Sequence, residues 1–261
     1  MTRSSPLLCL PIVLLLQASF AFSTDNSEAL KVVVFGGHPD DPESGCGGLI
    51  ATLTDAGHEV HVGYATCFRG DRKINGQAEA DVRRHEAAEA CRILGAHPRF
   101  FDYAHEKLVA NSATLDEVSA WLKSVKPDVV VTHWPLDMHP NHHVASSLIW
   151  QCYERQGGWN LYFFEVMTGS QTLDFHPELY LDLAPVLEKK HACLDAHSSQ
   201  NPAGIWAAHE KMHFNRGKQC GVERAEGYHL LEAKPGGKLL PIQWLRPLGS
   251  AKSSSSGTLN H

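Results

Sequence analysis

Lys31-Val32-Val33-Val34-Phe35-Gly36-Gly37-His38-Pro39-Asp40-Asp41-Pro42-Glu43-Ser44 is the stretch that decides the fold. Its opening residues, Lys31 to Phe35, form an apolar, β-branched run of the kind found in buried strands, and Ser44 to Thr54 suits a helix. The polar segment between them then sits at a strand's carboxyl end, where open α/β sheets bind their ligands. His38 to Glu43 packs one imidazole and three carboxylates into six residues. Carboxylates in that place can simply cap the helix that follows. The same concentration of acceptors suits a divalent cation with a general base beside it. A second segment repeats the pattern. Asp128-Val129-Val130-Val131-Thr132-His133 reads as another buried strand, followed by Trp134-Pro135-Leu136-Asp137-Met138-His139-Pro140-Asn141-His142-His143-Val144-Ala145. Two such strand ends can converge above a parallel sheet, and a three-ligand metal site explains both loops economically.

Outward from these segments the chain alternates strand and helix. We expect a strand over His58–Ala65, then a polar loop to Ala80 in which Arg69 and Asp71 rim a pocket, and a helix over Asp81–Leu94 closed by Gly95. A strand at Arg99–Tyr103, a helix at Thr114–Val125, a helix at Ala145–Tyr153 and a strand at Leu161–Val166 follow. An edge strand at Tyr180–Leu183, a helix from Pro185 to about Ala196 and a helix from Arg216 to Tyr228 complete the expectation. Alternation of this kind implies βαβ units and right-handed crossovers. The expected fold is therefore α/β, a Rossmann-like three-layer αβα sandwich with a mostly parallel sheet. Dinucleotide binding is rejected: the G-x-G-x-x-G order is absent after the first strand, and carboxylates facing a pyrophosphate repel it.

At 261 residues, 43% hydrophobic and 20% charged, the chain can bury one substantial core, assigned to residues 31–248. A net charge of −6, with no basic stripe, argues against nucleic acid as a partner. Arg3, the apolar Leu7–Leu16 and small residues at Ser19 to Ser23 read as a signal peptide over 1–23, followed by a linker over 24–30. The apolar core falls short of the roughly 20 residues of a membrane span, so the expected mature protein is exported without a stable membrane span. The Ser-rich residues 249–261 read as a disordered tail. Cys46, Cys67, Cys91, Cys152, Cys193 and Cys220 show no C-x-x-C pair, and we expect buried thiols rather than a disulfide framework.

Taken together, Gly37-His38-Pro39-Asp40-Asp41-Pro42-Glu43 and His139-Pro140-Asn141-His142-His143-Val144-Ala145 resemble the two hallmark motifs of the LmbE-like, or PIG-L, family of zinc-dependent N-acetylglucosaminyl deacetylases. Weaker similarities include Gly70-Asp71, Arg83 with Glu86, Lys190 with His197-Ser198-Ser199-Gln200, and the segment from Arg216-Gly217 to Ala225-Glu226. The resemblance implies that His38, Asp41 and His142 bind Zn2+, that Asp40 is the general base, and that His139 polarises or protonates at the reacting carbonyl. Two nitrogens, one carboxylate and an open fourth position also describe a catalytic zinc site in general. The implied reaction removes the N-acetyl group from an N-acetylglucosamine-containing small molecule or oligosaccharide, with Arg69, Asp71 and Arg83 as candidates for sugar contacts. Asn141 stands where the family usually has Asp, which should leave His139 less basic unless Asp137 substitutes for the missing charge. Phe68 stands where a small polar residue is common, and His143 rivals His142 as a ligand, although the spacing to Ala145 favours His142. Two other readings remain open: an exported metal-containing glycan-binding protein with little turnover, and an amidase acting on a non-sugar amide.

Overall fold

In the computed structural model, which describes residues 28–241 and 245–247, the apolar run becomes β1 (Lys31–Gly36), buried at every residue after Lys31. The expected signal segment and the Ser-rich tail lie outside the described residues. After β1 come α1 (Asp41–Asp55), β2 (Glu59–Phe68), a short hairpin of β3 (Lys73–Ile74) and β4 (Gln77–Ala78), α2 (Glu79–Leu94) and β5 (His97–Ala104). Next are α3 (Ser112–Val125), β6 (Val129–His133), α4 (Pro140–Gln156), β7 (Asn160–Phe164) and β8 (Leu179–Asp182). The last elements are α5 (Leu187–Asp195), a 3-10 turn at Ser198–Gln200, α6 (Pro202–Cys220), β9 (Ala225–Leu230) and β10 (Leu245–Pro247).

The main sheet runs β10-β8-β9-β7-β6-β1-β2-β5. Its β7-β6-β1-β2-β5 part is parallel, and β9, β8 and β10 add an antiparallel margin. From β1 the chain first builds β2 and β5 on one side, then crosses to build β6 and β7 on the other. The loops after β1 and β6 therefore part at the reversal and leave a crevice at the strands' carboxyl ends, the usual ligand position in such sheets. Side chains alternate between two cores, as the pleat requires. Val32, Val34, Val129 and Val131 pack with α1, α2 and α5, while Val33, Phe35 and Val130 pack with α3 and α4. The result is the expected three-layer αβα sandwich.

Some boundaries differ for physical reasons. α1 starts at Asp41 rather than Ser44, because Glu43 Oε2 accepts the Asp40 N–H at 3.1 Å and Pro42 fits the first turn. α4 starts at Pro140 rather than Ala145 because His139 acts as its N-cap. Both starts place motif residues on helices instead of loops. The strand at Leu179–Asp182 is not an edge strand, since β10 pairs outside it. The helix expected over Arg216–Tyr228 is wrong: α6 stops at Cys220, with Gly221 at φ 77, and Ala225–Leu230 is a strand held between β7 and β8. α6 buries His209, His213 and Arg216 on its inner face, so its sequence lacks the apolar stripe that would have announced it.

Candidate active site

The β1–α1 turn sets the first candidate ligands, His38 and Asp41. Asp40 takes a positive φ of 103°, and Asp41, the first residue of α1, turns back so that its Oδ2 accepts the His38 N–H at 2.8 Å. The same oxygen lies 3.0 Å from His38 Nδ1 and 3.0 Å from Nε2 of His142, which stands in the first turn of α4. The two ring nitrogens are 3.3 Å apart. Gly37 permits the approach, because a Cβ there would meet His142 Cδ2 at 3.0 Å and Asp41 Oδ2 at 3.3 Å.

A tetrahedral ion with bonds of about 2.0–2.2 Å spaces its ligands roughly 3.3 Å apart. The His38–Asp41–His142 triangle already has nearly that size, and all three residues are buried. Its electrostatics also call for a cation. Burial would lower His142, yet Asp41 and Asp137 override it and raise this histidine to about 10, while burial holds His38 down at about 3. Asp41 stays well below the usual carboxylate range despite burial, chiefly through His142 and His38. A proton on His142 or a metal ion can fill that need, and the donor set fits the metal. His143 is exposed and outside the triangle.

A second tier holds the triangle in place. Asp137 Oδ1 lies 3.2 Å from His142 Nδ1 and also accepts the His139 N–H at 2.8 Å. Thr172 Oγ1 donates to Asp137 Oδ2 at 2.9 Å, because residues 136–138 and 171–173 pair antiparallel around an Asp137–Thr172 bridge. The Asp137 side chain and Thr172 are buried in that ribbon, whereas Leu136, Met138 and Leu173 are exposed. His133, at the end of β6, stacks on His142 with ring centroids 4.1 Å apart and accepts the Gly37 N–H at 2.9 Å.

Asn141 corrects the sequence reading. Its side-chain amide reaches His38 Nε2 at 3.1 Å, not His139. His139 is indeed held below the usual histidine range, but by burial and by His142, and its Nδ1 accepts the Asn141 backbone N–H at 3.3 Å. A neutral His139 in this setting carries its proton on Nε2.

Asp40 lies beside the triangle. Burial, and after it the neighbouring Asp41, raises its carboxyl to about 7. Arg83 Nη2 stands 3.6 Å from Asp40 Oδ1 and donates to the Pro39 carbonyl at 2.7 Å, so it positions the loop as well as facing the site. A cavity of about 180 Å³ is lined by His38, Asp40, Asp41, His139 and His142, together with Arg69 and Arg83. Asp71 is not among its lining residues: it is exposed beyond Gly70, whose φ of 50° turns the chain toward the β3–β4 hairpin. The Ser198–Gln200 turn is anchored by Glu86, which accepts from Ser198 Oγ at 2.9 Å and from the Ser199 N–H at 2.7 Å, and this brings Gln200 to the cavity.

Sequence reasoning missed His105, Gln171 and His209 in the lining, and His133 behind it. His133 closes an apolar strand directly before the second motif, and that position was its available signal. The other three come from elements with no motif of their own.

Residues 33–153 match the PIG-L family, described as GlcNAc-PI de-N-acetylase. The chain is 26% identical over 236 residues to the diacetylchitobiose deacetylase of Thermococcus kodakarensis, covering 82% of this chain and 88% of that protein. It is also 26% identical over 216 residues to the 4-oxalmesaconate hydratase of Pseudomonas putida, covering 75% and 83%. The solved structure of N,N'-diacetylchitobiose deacetylase from Pyrococcus horikoshii superposes with a TM-score of 0.68 at 22% identity, covering 81% of this chain and 87% of that one. That similarity establishes a shared fold.

Proposed function

We propose that this chain, which carries a PIG-L (LmbE-like) family domain, is a zinc-dependent deacetylase that removes the N-acetyl group from an N-acetylglucosamine-containing substrate. The observation that carries the reading is the buried His38–Asp41–His142 triangle with the carboxylate of Asp40 and the ring of His139 facing the same cavity. The deacetylase relative supports the chemistry. Zinc held by His38, Asp41 and His142 would supply Lewis acidity, polarising the amide carbonyl and lowering the pKa of water toward ~7.

The protein's own groups do the rest. Asp40, which lines the cavity beside the triangle, takes the proton of the water that attacks the amide carbon. It returns that proton to the nitrogen as the C–N bond breaks, leaving a free amine and acetate. The Nε2–H of His139 donates to the carbonyl oxygen as negative charge develops there, a donation commonly worth about 3–4 kcal/mol. Arg83 holds the Pro39 carbonyl and keeps the Asp40 loop in place.

The N-terminal segment of residues 1–23 supports export, so the substrate we favour is an N-acetylated oligosaccharide or glycan fragment outside the cytoplasm. No helix among the described residues is long and apolar enough to cross a membrane. The test is amine release from N-acetylglucosamine derivatives by purified protein, with zinc added and with zinc chelated. Chelator-sensitive release is expected. Zinc-loaded, folded protein that releases no amine from any of them would overturn the reading and direct attention to non-sugar amides, glycan binding without turnover, or the hydration chemistry of the Pseudomonas relative.

A further inference from the structure

α6 carries His209 into the lining of the cavity that holds the metal triangle. His209 is fully buried, and neither of its ring nitrogens has a hydrogen-bond partner among the described residues. Gln171, next to Thr172 in the 136–138/171–173 ribbon, lines the same cavity, and its buried side-chain oxygen also has no hydrogen-bond partner among the described residues. Buried polar atoms are seldom left in that condition unless water or a ligand completes them. Neither residue has a task in the hydrolysis described above. His213, one turn further along α6, is equally buried and also without a hydrogen-bond partner among the described residues, but it lies outside the cavity lining.

The chemistry of the pair defines what it can hold. Burial, reinforced by the charge of Lys190, keeps His209 down at about 3, so its ring is neutral, with one donor and one acceptor. Gln171 presents an acceptor. A hydroxyl, which both donates and accepts, satisfies both residues, whereas a carboxylate or phosphate in this cavity would turn to Arg69 and Arg83 and leave the uncharged pair unserved. We infer that His209 and Gln171 are substrate-binding residues that hydrogen-bond hydroxyl groups of a neutral sugar bound in the cavity. The inference rests on the deacetylase reading for the placement of that sugar's N-acetyl group at the metal.

The experiment uses zinc-loaded full-length protein with N-acetylglucosamine and its 3-, 4- and 6-deoxy analogues, in the wild type and in His209→Phe, His209→Asn, Gln171→Leu and His213→Phe. Titration calorimetry reads affinity, amine release reads kcat and KM, and metal content and melting temperature monitor the fold. His209→Phe and Gln171→Leu should each weaken binding by about tenfold, raising KM more than they lower kcat. His209→Asn should recover part of the loss, and His213→Phe should bind as the wild type does. The deoxy analogue that binds worst to the wild type should lose nothing further on the matching variant. Equal affinities in all variants, or penalties that simply add, would overturn the inference; if His209→Phe does not fold, Gln171→Leu carries the same comparison. Amine release without this coupling leaves the deacetylase reading standing and removes the inference. Coupled binding without amine release does the reverse, and a wild type that neither binds nor hydrolyses removes both.

Discussion

At the scale of single residues, Asp40 carries the sharpest constraint. Its φ of 103° lies in a region that costs a non-glycine residue on the order of 1–3 kcal/mol, and α1 maintains it while Asp41 turns inward toward His38 and His142. Asn tolerates positive φ better than most residues, so Asp40→Asn removes the base with little backbone disturbance. Turnover should fall by at least ~10²-fold while zinc content measured by metal analysis stays at the wild-type level. His142→Ala should lower zinc content, and His143→Ala, at an exposed position, should leave it unchanged. Asn141 offers a subtler test. It meets His38 Nε2 while Nδ1 faces the triangle, so metal binding through Nδ1 needs a hydrogen-bond acceptor at Nε2, which the amide oxygen can supply after a flip. Asn141→Asp places a carboxylate there, and zinc affinity measured by chelator competition should rise by roughly 10-fold or more.

At the scale of elements, the Gly-rich start of α1 is explained by what is driven into it. Lys190 of α5, fully buried, donates to the Ser44 carbonyl at 2.7 Å and to Glu226 Oε1 at 2.5 Å. Glu226 of β9 accepts the Gly48 and Leu49 N–H groups at 2.8 and 2.9 Å. A Cβ on Gly48 would meet Leu183 Cδ2 at 2.3 Å. This ion pair ties α5 and β9 to the helix whose first residue is Asp41 of the triangle. Lys190→Met strands Glu226 as a buried charge and should destabilise the protein by about 3–5 kcal/mol, read as a lower urea midpoint. Lys190→Met combined with Glu226→Gln should be less destabilised than the single Lys190→Met variant, because no uncompensated charge remains.

At the scale of the whole molecule, buried histidines set the response to acid. Burial holds His209 at about 3 and His213 well below 6.5, whereas both approach the ordinary 6.5 on unfolding. The unfolded chain therefore binds more protons than the folded one as pH falls below 6.5, and stability is lost with it. Each such histidine contributes a slope of up to about 1.4 kcal/mol per pH unit. In metal-free protein, His213→Phe should flatten the decline of melting temperature between neutral pH and pH 5, relative to the wild type. The six cysteines from Cys46 to Cys220 are free and buried, as their sequence context suggested, so this stability is built without disulfides among the described residues.

The sequence by itself determined the parallel core and both strand-end loops, and the resemblance of those loops to the family's motifs pointed to His38, Asp41 and His142 within them. β-Branched runs and motif spacing are local signals, and they survive folding because the sheet places consecutive strand ends predictably. Only the tertiary structure decided that β9 is a strand, that Asn141 serves His38 instead of His139, that Asp71 lies outside the cavity, and that His209 lies within it. Those outcomes depend on which faces distant segments present to one another. A helix such as α6, which buries imidazoles and a guanidinium instead of an apolar stripe, leaves no periodicity from which its inner face could be read.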